Sequence, residues 1–402
     1  MTGTLHVVGA GLAGLACAVA AARAGRHVVL HESAGHAGGR CRSFEDDSTG
    51  RLIDNGTHLL LGVNQTALAY AGAIGGLDSM SCRTPRFPFA DLTDARRWVL
   101  TPAGLMSRPW DLIRALGFPA LRSDETVAGR LGKSPRFHDV WEPLCVAALN
   151  TAAEESSAPM FARLLRATLA GGAKALRPWL FTKGLSAALV EPALHTLASR
   201  GAELRFHHRL TGVAEDRLSF DGGDVALGPA DRAVLALPPW RLERVMANVP
   251  SMPTRAIVNA HFRLDGMPAL PGGLPYLGTT GGHSQWLSVR DDVVSVTVSA
   301  ADRLAARSAD DIAAILWREI APLLGPANAA LPAHRIVKER RATLAHTPAA
   351  ISRRWPATTG WPKIHLAGDW LAGPWPCTIE AAVASGLSAA RLATDRSDLA
   401  FT

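Results

Sequence analysis

The chain of 402 residues is poor in the features that announce a disulfide scaffold, a zinc module or a membrane span. Its five cysteines (Cys17, Cys41, Cys82, Cys145, Cys377) are odd in number and include no C-x-x-C pair, which argues for reduced thiols and against a disulfide framework or a metal site. No uninterrupted apolar run approaches the roughly 18 residues that a spanning helix needs. The first expected strand opens at about residue 4, so no signal peptide is expected and the compartment expected is the cytosol. The formal charge of +7 comes mostly from arginine, yet no helix-turn-helix, zinc or RNA-binding pattern accompanies it. Nucleic acid is therefore not an expected partner. Anionic lipid headgroups are the better use for such a surface.

What is present begins at once. Thr4 to Glu32 read as a strand, the turn Gly9-Ala10-Gly11-Leu12-Ala13-Gly14, an apolar helix and a second strand. Gly9 permits the sharp turn, Gly11 lets the backbone approach a pyrophosphate, and Gly14 lets the helix pack on the strand. The helix then points the free N–H groups of its first turn, Leu12 and Ala13 among them, at phosphate. Glu32, 18 residues beyond Gly14, stands where an acid accepts hydrogen bonds from ribose hydroxyls, and nothing there favours a 2′-phosphate. NAD and FAD both fit this unit alone. A second turn, Gly38-Gly39-Arg40, directly follows the acid; it offers another close backbone approach and a guanidinium fork for phosphate, where the plain alternative is a solvated surface turn.

Ile53-Asp54-Asn55-Gly56-Thr57-His58 come next. With three such motifs in order, the chain resembles the flavin-containing amine oxidase and phytoene desaturase superfamily. That resemblance implies FAD, a Gly56-Thr57-His58 backbone lying against the isoalloxazine, and an α/β fold: a Rossmann-like FAD-binding domain (1–75, 185–240 and 345–402) interleaved with an α+β substrate-binding domain (76–184 and 241–344). The C-terminal Lys363 to Trp370 strand, ending in Gly368-Asp369, and the small-residue helix opened by Thr378-Ile379 are similar to the superfamily's second FAD segment. There the aspartate would hold ribityl or pyrophosphate oxygens, and the helix dipole would favour negative charge on the ring. The strand Glu203 to Leu210 is expected to rejoin the cofactor sheet beside Asp231 to Leu237, with the Leu210 backbone at the adenine edge.

Between about Gly75 and Pro135 five prolines interrupt an irregular run in which Trp98, Met106, Trp110, Ile113 and Phe118 alternate with arginines. The composition suits an ordinary core with a basic face, or a surface resting on a bilayer. Residues 255–299 alternate as antiparallel strands, which with a helix from about Ala309 to Leu324 would roof a pocket.

The run Trp141-Glu142-Pro143-Leu144-Cys145 to Leu149-Asn150-Thr151 narrows the resemblance to the hydroxysqualene dehydroxylases, the squalene-associated FAD-dependent desaturases of bacterial hopanoid pathways. Glu142 and Asn150 are isolated polar groups that suit helix caps. The resemblance implies that an outside donor reduces FAD, that hydroxysqualene enters an apolar cavity, and that its allylic hydroxyl leaves after protonation. Flavin N5 then gives hydride to the cation, yielding squalene. His58, Asp54 and Glu142 are the candidate proton donors, and peripheral attachment to the inner face of the cytoplasmic membrane is expected. A carotenoid-type or other isoprenoid desaturase, an amine oxidase-like enzyme and a non-catalytic lipid carrier are the alternatives. Amine oxidases often place a tyrosine where this chain has Thr378, and Tyr70 and Tyr276 are its only tyrosines, so a cage would have to use Trp370 or Trp375. Thr57 and Val63-Asn64 also depart from the dehydroxylase pattern.

Overall fold

The computed structural model describes residues 3–325 and 330–401; the outer domain limits at residues 1 and 402 fall outside them. Leu5–Val8, buried on both faces, is the centre of a five-stranded parallel sheet. Its neighbours are Val28–His31 and Arg232–Leu235, with Glu203–Arg205 and Ile364–Leu366 at the edges. Such near-continuous apolar strands are what a sheet covered on both sides requires. One cover is the pair of helices Leu12–Arg23 and Ile379–Thr394, whose small residues let the backbones meet: a Cβ on Gly386 would lie 2.1 Å from the Ala13 carbonyl oxygen. The other is a three-stranded antiparallel sheet of Leu210–Ala214, Arg217–Phe220 and Gly223–Ala226. Leu210 thus opens this covering sheet and is not the end of the Glu203 strand. The chain leaves the parallel sheet after Arg205, and His207 takes a left-handed turn with φ +53°.

The second layer is a seven-stranded sheet in the order His334–Leu344, Thr254–Arg263, Val293–Val298, Trp286–Arg290, Tyr276–Thr280, Phe87–Asp91, Arg97–Leu100. All pairs are antiparallel except Tyr276–Thr280 with Phe87–Asp91. The last two strands fall in the stretch expected to be irregular. Pro88 misleads there because it pairs only with Val99, and the ladder to the other neighbour begins at Phe89, so its missing N–H interrupts one side alone. The helix Ala309–Leu324, capped by Ser308 accepting from Asp311, lays Ile312, Leu316 and Ile320 on this sheet. Ahead of the Glu203 strand stand two helices, Leu185–Leu189 and Glu191–Ser199, parted at Val190 before Pro192.

A helical group of Pro102–Met106, Pro109–Ala115, Val127–Leu131, Glu142–Leu149 and Ala158–Ala170 surrounds Trp141, Leu149 and Phe161. Ser157 caps the last of these by accepting from Met160.

Candidate active site

The two glycine turns lie side by side. Gly9 has φ +102° and a Cβ there would meet the Ala236 carbonyl oxygen at 2.5 Å, so only glycine fits. Gly38 N donates to Ala10 O at 2.8 Å, and Gly11 pairs with Gly38 as an isolated bridge. Gly39, at φ +57°, would bring a Cβ to 3.3 Å from Gly11 Cα, whereas a Cβ on Gly11 meets no protein atom within 4 Å. Gly11 therefore borders open space walled by backbone. No side chain caps the helix that begins at Leu12, and its first turn holds no acid, so the N–H groups of Leu12, Ala13 and Gly14 face that space without a side-chain acceptor. Glu32 stands one residue past its strand; its carboxylate accepts from Ala10 N and Ala34 N, both at 2.8 Å, and from Ser33 Oγ at 3.1 Å. His208, two residues before Leu210, donates its N–H to Glu32 O at 2.8 Å, which keeps Leu210 near the Glu32 end of the sheet.

Arg40 Nη2 donates to Asp369 Oδ1 at 2.7 Å and Nη1 donates to the Ala342 carbonyl, joining the second glycine turn to the C-terminal segment. Arg354 holds that segment from behind, on Asp369 O (3.1 Å), Trp375 O (2.8 Å) and Cys377 Sγ (3.2 Å). Gly368 N donates to Ser385 Oγ. Thr378 caps the helix Ile379–Thr394 by accepting from Ala381 N, and the buried Glu380 accepts from Thr66 N and Ala67 N, tying this helix to Gln65–Ala73. Burial pushes the Cys41 thiol up to about 12 and that of Cys377 up to about 11, so both stay protonated. Trp370 is buried with Nε1 on Leu237 O, which removes it from any aromatic cage.

The segment between these motifs is pinned on both flanks. Asp54 Oδ1 accepts from Ser43 Oγ (2.5 Å) and Leu185 N (3.0 Å), and Oδ2 from Arg290 Nη1 (2.5 Å). Asn259 accepts from Thr57 N at 3.3 Å and donates to Asn55 O at 3.4 Å. His58 Nδ1 lies 2.7 Å from Gly56 O; because a carbonyl only accepts, Nδ1 carries the hydrogen and Nε2 keeps its lone pair. Burial lowers the His58 pKa, and the Gly56 bond only partly offsets this. His58 is exposed although Asp54 and Gly56 beside it are buried, and the Arg40 side chain keeps 35% exposure while bonded to Asp369, so both border open space next to the glycine turns. Backbone N–H groups, a guanidinium and an open cleft at the meeting of three motifs fit a flavin dinucleotide. Arg40, Asp369 and the Leu12–Gly14 N–H groups would hold its phosphates and ribityl chain.

Glu142 lies elsewhere. Its Oε2 meets the exposed His138 at 2.7 Å on the outer side of the helical group. Asn150 caps Glu142–Leu149 in the left-handed conformation, φ +45°; it donates to Thr343 Oγ1 at 3.0 Å and accepts from Ala300 N at 2.7 Å. His346 Nδ1 donates to Leu149 O (2.5 Å) and Nε2 accepts from Cys377 N (2.8 Å), so the Leu149-Asn150-Thr151 run is wired to the cofactor segment. The structure thus gathers residues 9–14, 38–40, 54–58, 368–369 and 378–379, and it leaves Glu142 outside. Sequence reasoning missed Asn259, Arg290, His346 and Arg354. For Asn259 a signal existed: Asn259 and His261 are polar at every second place of a strand whose Val258, Ala260 and Phe262 are fully buried.

Residues 12–394 match the family model described as flavin containing amine oxidoreductase. The chain is 41% identical to a hydroxysqualene dehydroxylase of Rhodopseudomonas palustris, with 98% of both chains covered. It is 38% identical to one from Sinorhizobium fredii, covering 98% of this chain and 99% of the other. Among solved structures, cyclohexylamine oxidase from Brevibacterium oxydans superposes with a TM-score of 0.72 at 15% identity, over 98% of this chain and 99% of that one; this likeness concerns the fold. The cofactor of the chain is FAD. By its length-wide match and its identity to these relatives, the chain belongs to the flavin-containing amine oxidoreductases and, within them, to the hydroxysqualene dehydroxylases.

Proposed function

We propose that this chain catalyses the FAD-dependent reductive dehydroxylation of hydroxysqualene to squalene, as the names of its relatives imply. Bound FAD, in its reduced form, supplies the hydride. The observation that carries the protein's part is the exposure of His58 beside the glycine turns, while Asp54 is committed to Arg290 and Glu142 to His138. Once its Nε2 has taken up a proton, the His58 imidazolium would give that proton to the leaving oxygen, so that the allylic C–O bond breaks and water leaves behind the carbocation for which FAD would supply the hydride. A lowered pKa makes the protonated ring the stronger acid, and its fixed Nδ1–H bond to Gly56 orients it. An outside electron donor and peripheral attachment to the cytoplasmic membrane's inner face belong to the same proposal; among the described residues no helix is long and apolar enough to cross a membrane.

The test is anaerobic. Dithionite-reduced holoenzyme is mixed with hydroxysqualene while flavin absorbance is followed and the lipid is extracted. Re-oxidation matched by squalene supports the reading. A reduced flavin that ignores hydroxysqualene, with oxidised enzyme bleached by a polyene precursor, overturns it in favour of a desaturase.

A further inference from the structure

The helix Pro109–Ala115 buries one side and bares the other. Ala115 is buried, and Leu112 and Leu116 pack against the cluster that holds Trp141 and Leu149. The opposite side presents Trp110, 77% exposed, and Ile113, flanked by the exposed Met106 and Phe118. Four large apolar side chains in 13 residues of open surface are more than scattered exposure explains. The charge around them is one-sided. Residues 102–136 carry six basic and three acidic side chains, and every acid is occupied within the segment: Asp111 accepts from Ser134, Asp124 pairs with Arg122, and Glu125 with Arg130. The side chains of Arg108 and Lys133 make no hydrogen bond or ion pair among the described residues. Trp and Phe beside unpaired cations match the headgroup zone of an anionic bilayer, where the rings enter the acyl boundary and the cations meet phosphate.

We infer that this face, Met106 to Phe118 with Arg108 and Lys133 around it, docks the protein on anionic lipid. The identity of the occupant rests partly on the proposed substrate, a hydrocarbon chain that dissolves in bilayers and not in water. Leu112 and Leu116 behind the patch pack on the same buried cluster as Leu149, whose carbonyl accepts from His346, itself bonded to Cys377 of the cofactor segment.

The holoenzyme is floated with vesicles of phosphatidylglycerol and phosphatidylcholine in equal parts, and with pure phosphatidylcholine. Binding to the anionic vesicles, weakened by salt, is expected. The double variant Trp110→Ser/Phe118→Ser lowers the partition at least about tenfold, and Arg108→Glu/Lys133→Glu lowers it on the anionic vesicles alone. All variants keep their flavin absorbance and their turnover of detergent-dispersed hydroxysqualene. Holoenzyme that stays unbound, variants that bind like the parent, or a dimer in light scattering that Trp110→Ser dissolves each overturn the docking surface. Failure of the dehydroxylase reading shows separately, as absence of squalene in detergent while vesicle binding persists.

Discussion

Arg40 and Asp369, 329 positions apart, meet at 2.7 Å and lock the second glycine turn to the last strand's Gly-Asp. Asp369 is buried, so the pair is shielded from bulk water on its carboxylate side. Arg40→Ala leaves the carboxylate unpaired and strips the cleft of a phosphate donor. Discounted for the part-exposed guanidinium, the expected loss is ~1–3 kcal/mol of stability, with FAD affinity down at least about tenfold. Thermal melts and flavin titration of the apoprotein measure both. An unchanged affinity would show that Arg40 serves the fold alone.

Of the three acid candidates, one is expected to control the chemistry. His58→Gln keeps bound flavin and loses roughly 10²–10⁴ in kcat, together with the alkaline descent of the pH profile, since a proton donor is lost as the pH rises. Asp54→Asn weakens a buried ion pair and lowers the melting temperature before it touches the rate. Glu142→Gln changes neither by more than about twofold. Steady-state rates in detergent separate these outcomes, and a rate loss confined to Glu142→Gln would transfer the role.

His346 makes stability depend on pH. Burial lowers its pKa from 6.5 to about 4, so the folded protein resists a proton that the unfolded chain accepts. The stabilisation is whole above pH 6.5, falls as the pH drops from there, and is spent once it passes below about 4, a loss of ~3 kcal/mol from this residue. A protonated Nε2 can no longer accept from Cys377 N. The amide of His346→Gln can still donate to Leu149 and accept from Cys377 but does not titrate, so its urea-unfolding midpoint declines less steeply over that pH range. His31, lowered to about 3, and His261, lowered to about 4, contribute the same sign in parent and variant alike.

Two glycines of one turn are expected to fail differently. A Cβ on Gly14 would lie 1.8 Å from the Gly9 carbonyl oxygen, so Gly14→Ala disrupts helix and strand and lowers the yield of folded protein. A Cβ on Gly11 touches no protein atom, so Gly11→Ala leaves the apoprotein's melting temperature within about 2 °C but intrudes where the pyrophosphate belongs, and FAD affinity falls. Circular dichroism of the apoprotein beside flavin titration distinguishes the two. Equal loss of apoprotein stability in both would mean that Gly11 is there for the fold.

The parts legible in the sequence are those built from neighbours along the chain. Residues 4–32 carry their strand, turn and helix within one short stretch, and the period of the apolar residues decides each element. The cap at Thr378 and the left-handed Asn150 follow from residue type alone. Misreadings came where local signals conflict with distant pairing. Pro88 argued against a strand that one free side permits, and Leu210 continued the alternation of Leu204 and Phe206 past a turn at His207 that hands it to another sheet. The acid candidates show the limit most plainly. Asp54, His58 and Glu142 are equally plausible as residue types, because a side chain's proton chemistry depends on what stands opposite it. Arg290 reaches Asp54 from 236 positions away and His346 joins Leu149 to Cys377 across almost the whole second half of the chain. The sequence by itself determined the glycine turns, the Asp54–His58 segment and the C-terminal Gly-Asp segment of a dinucleotide site. Only the tertiary structure decided which acid remains open to it, since burial and partnership are properties of the packed chain.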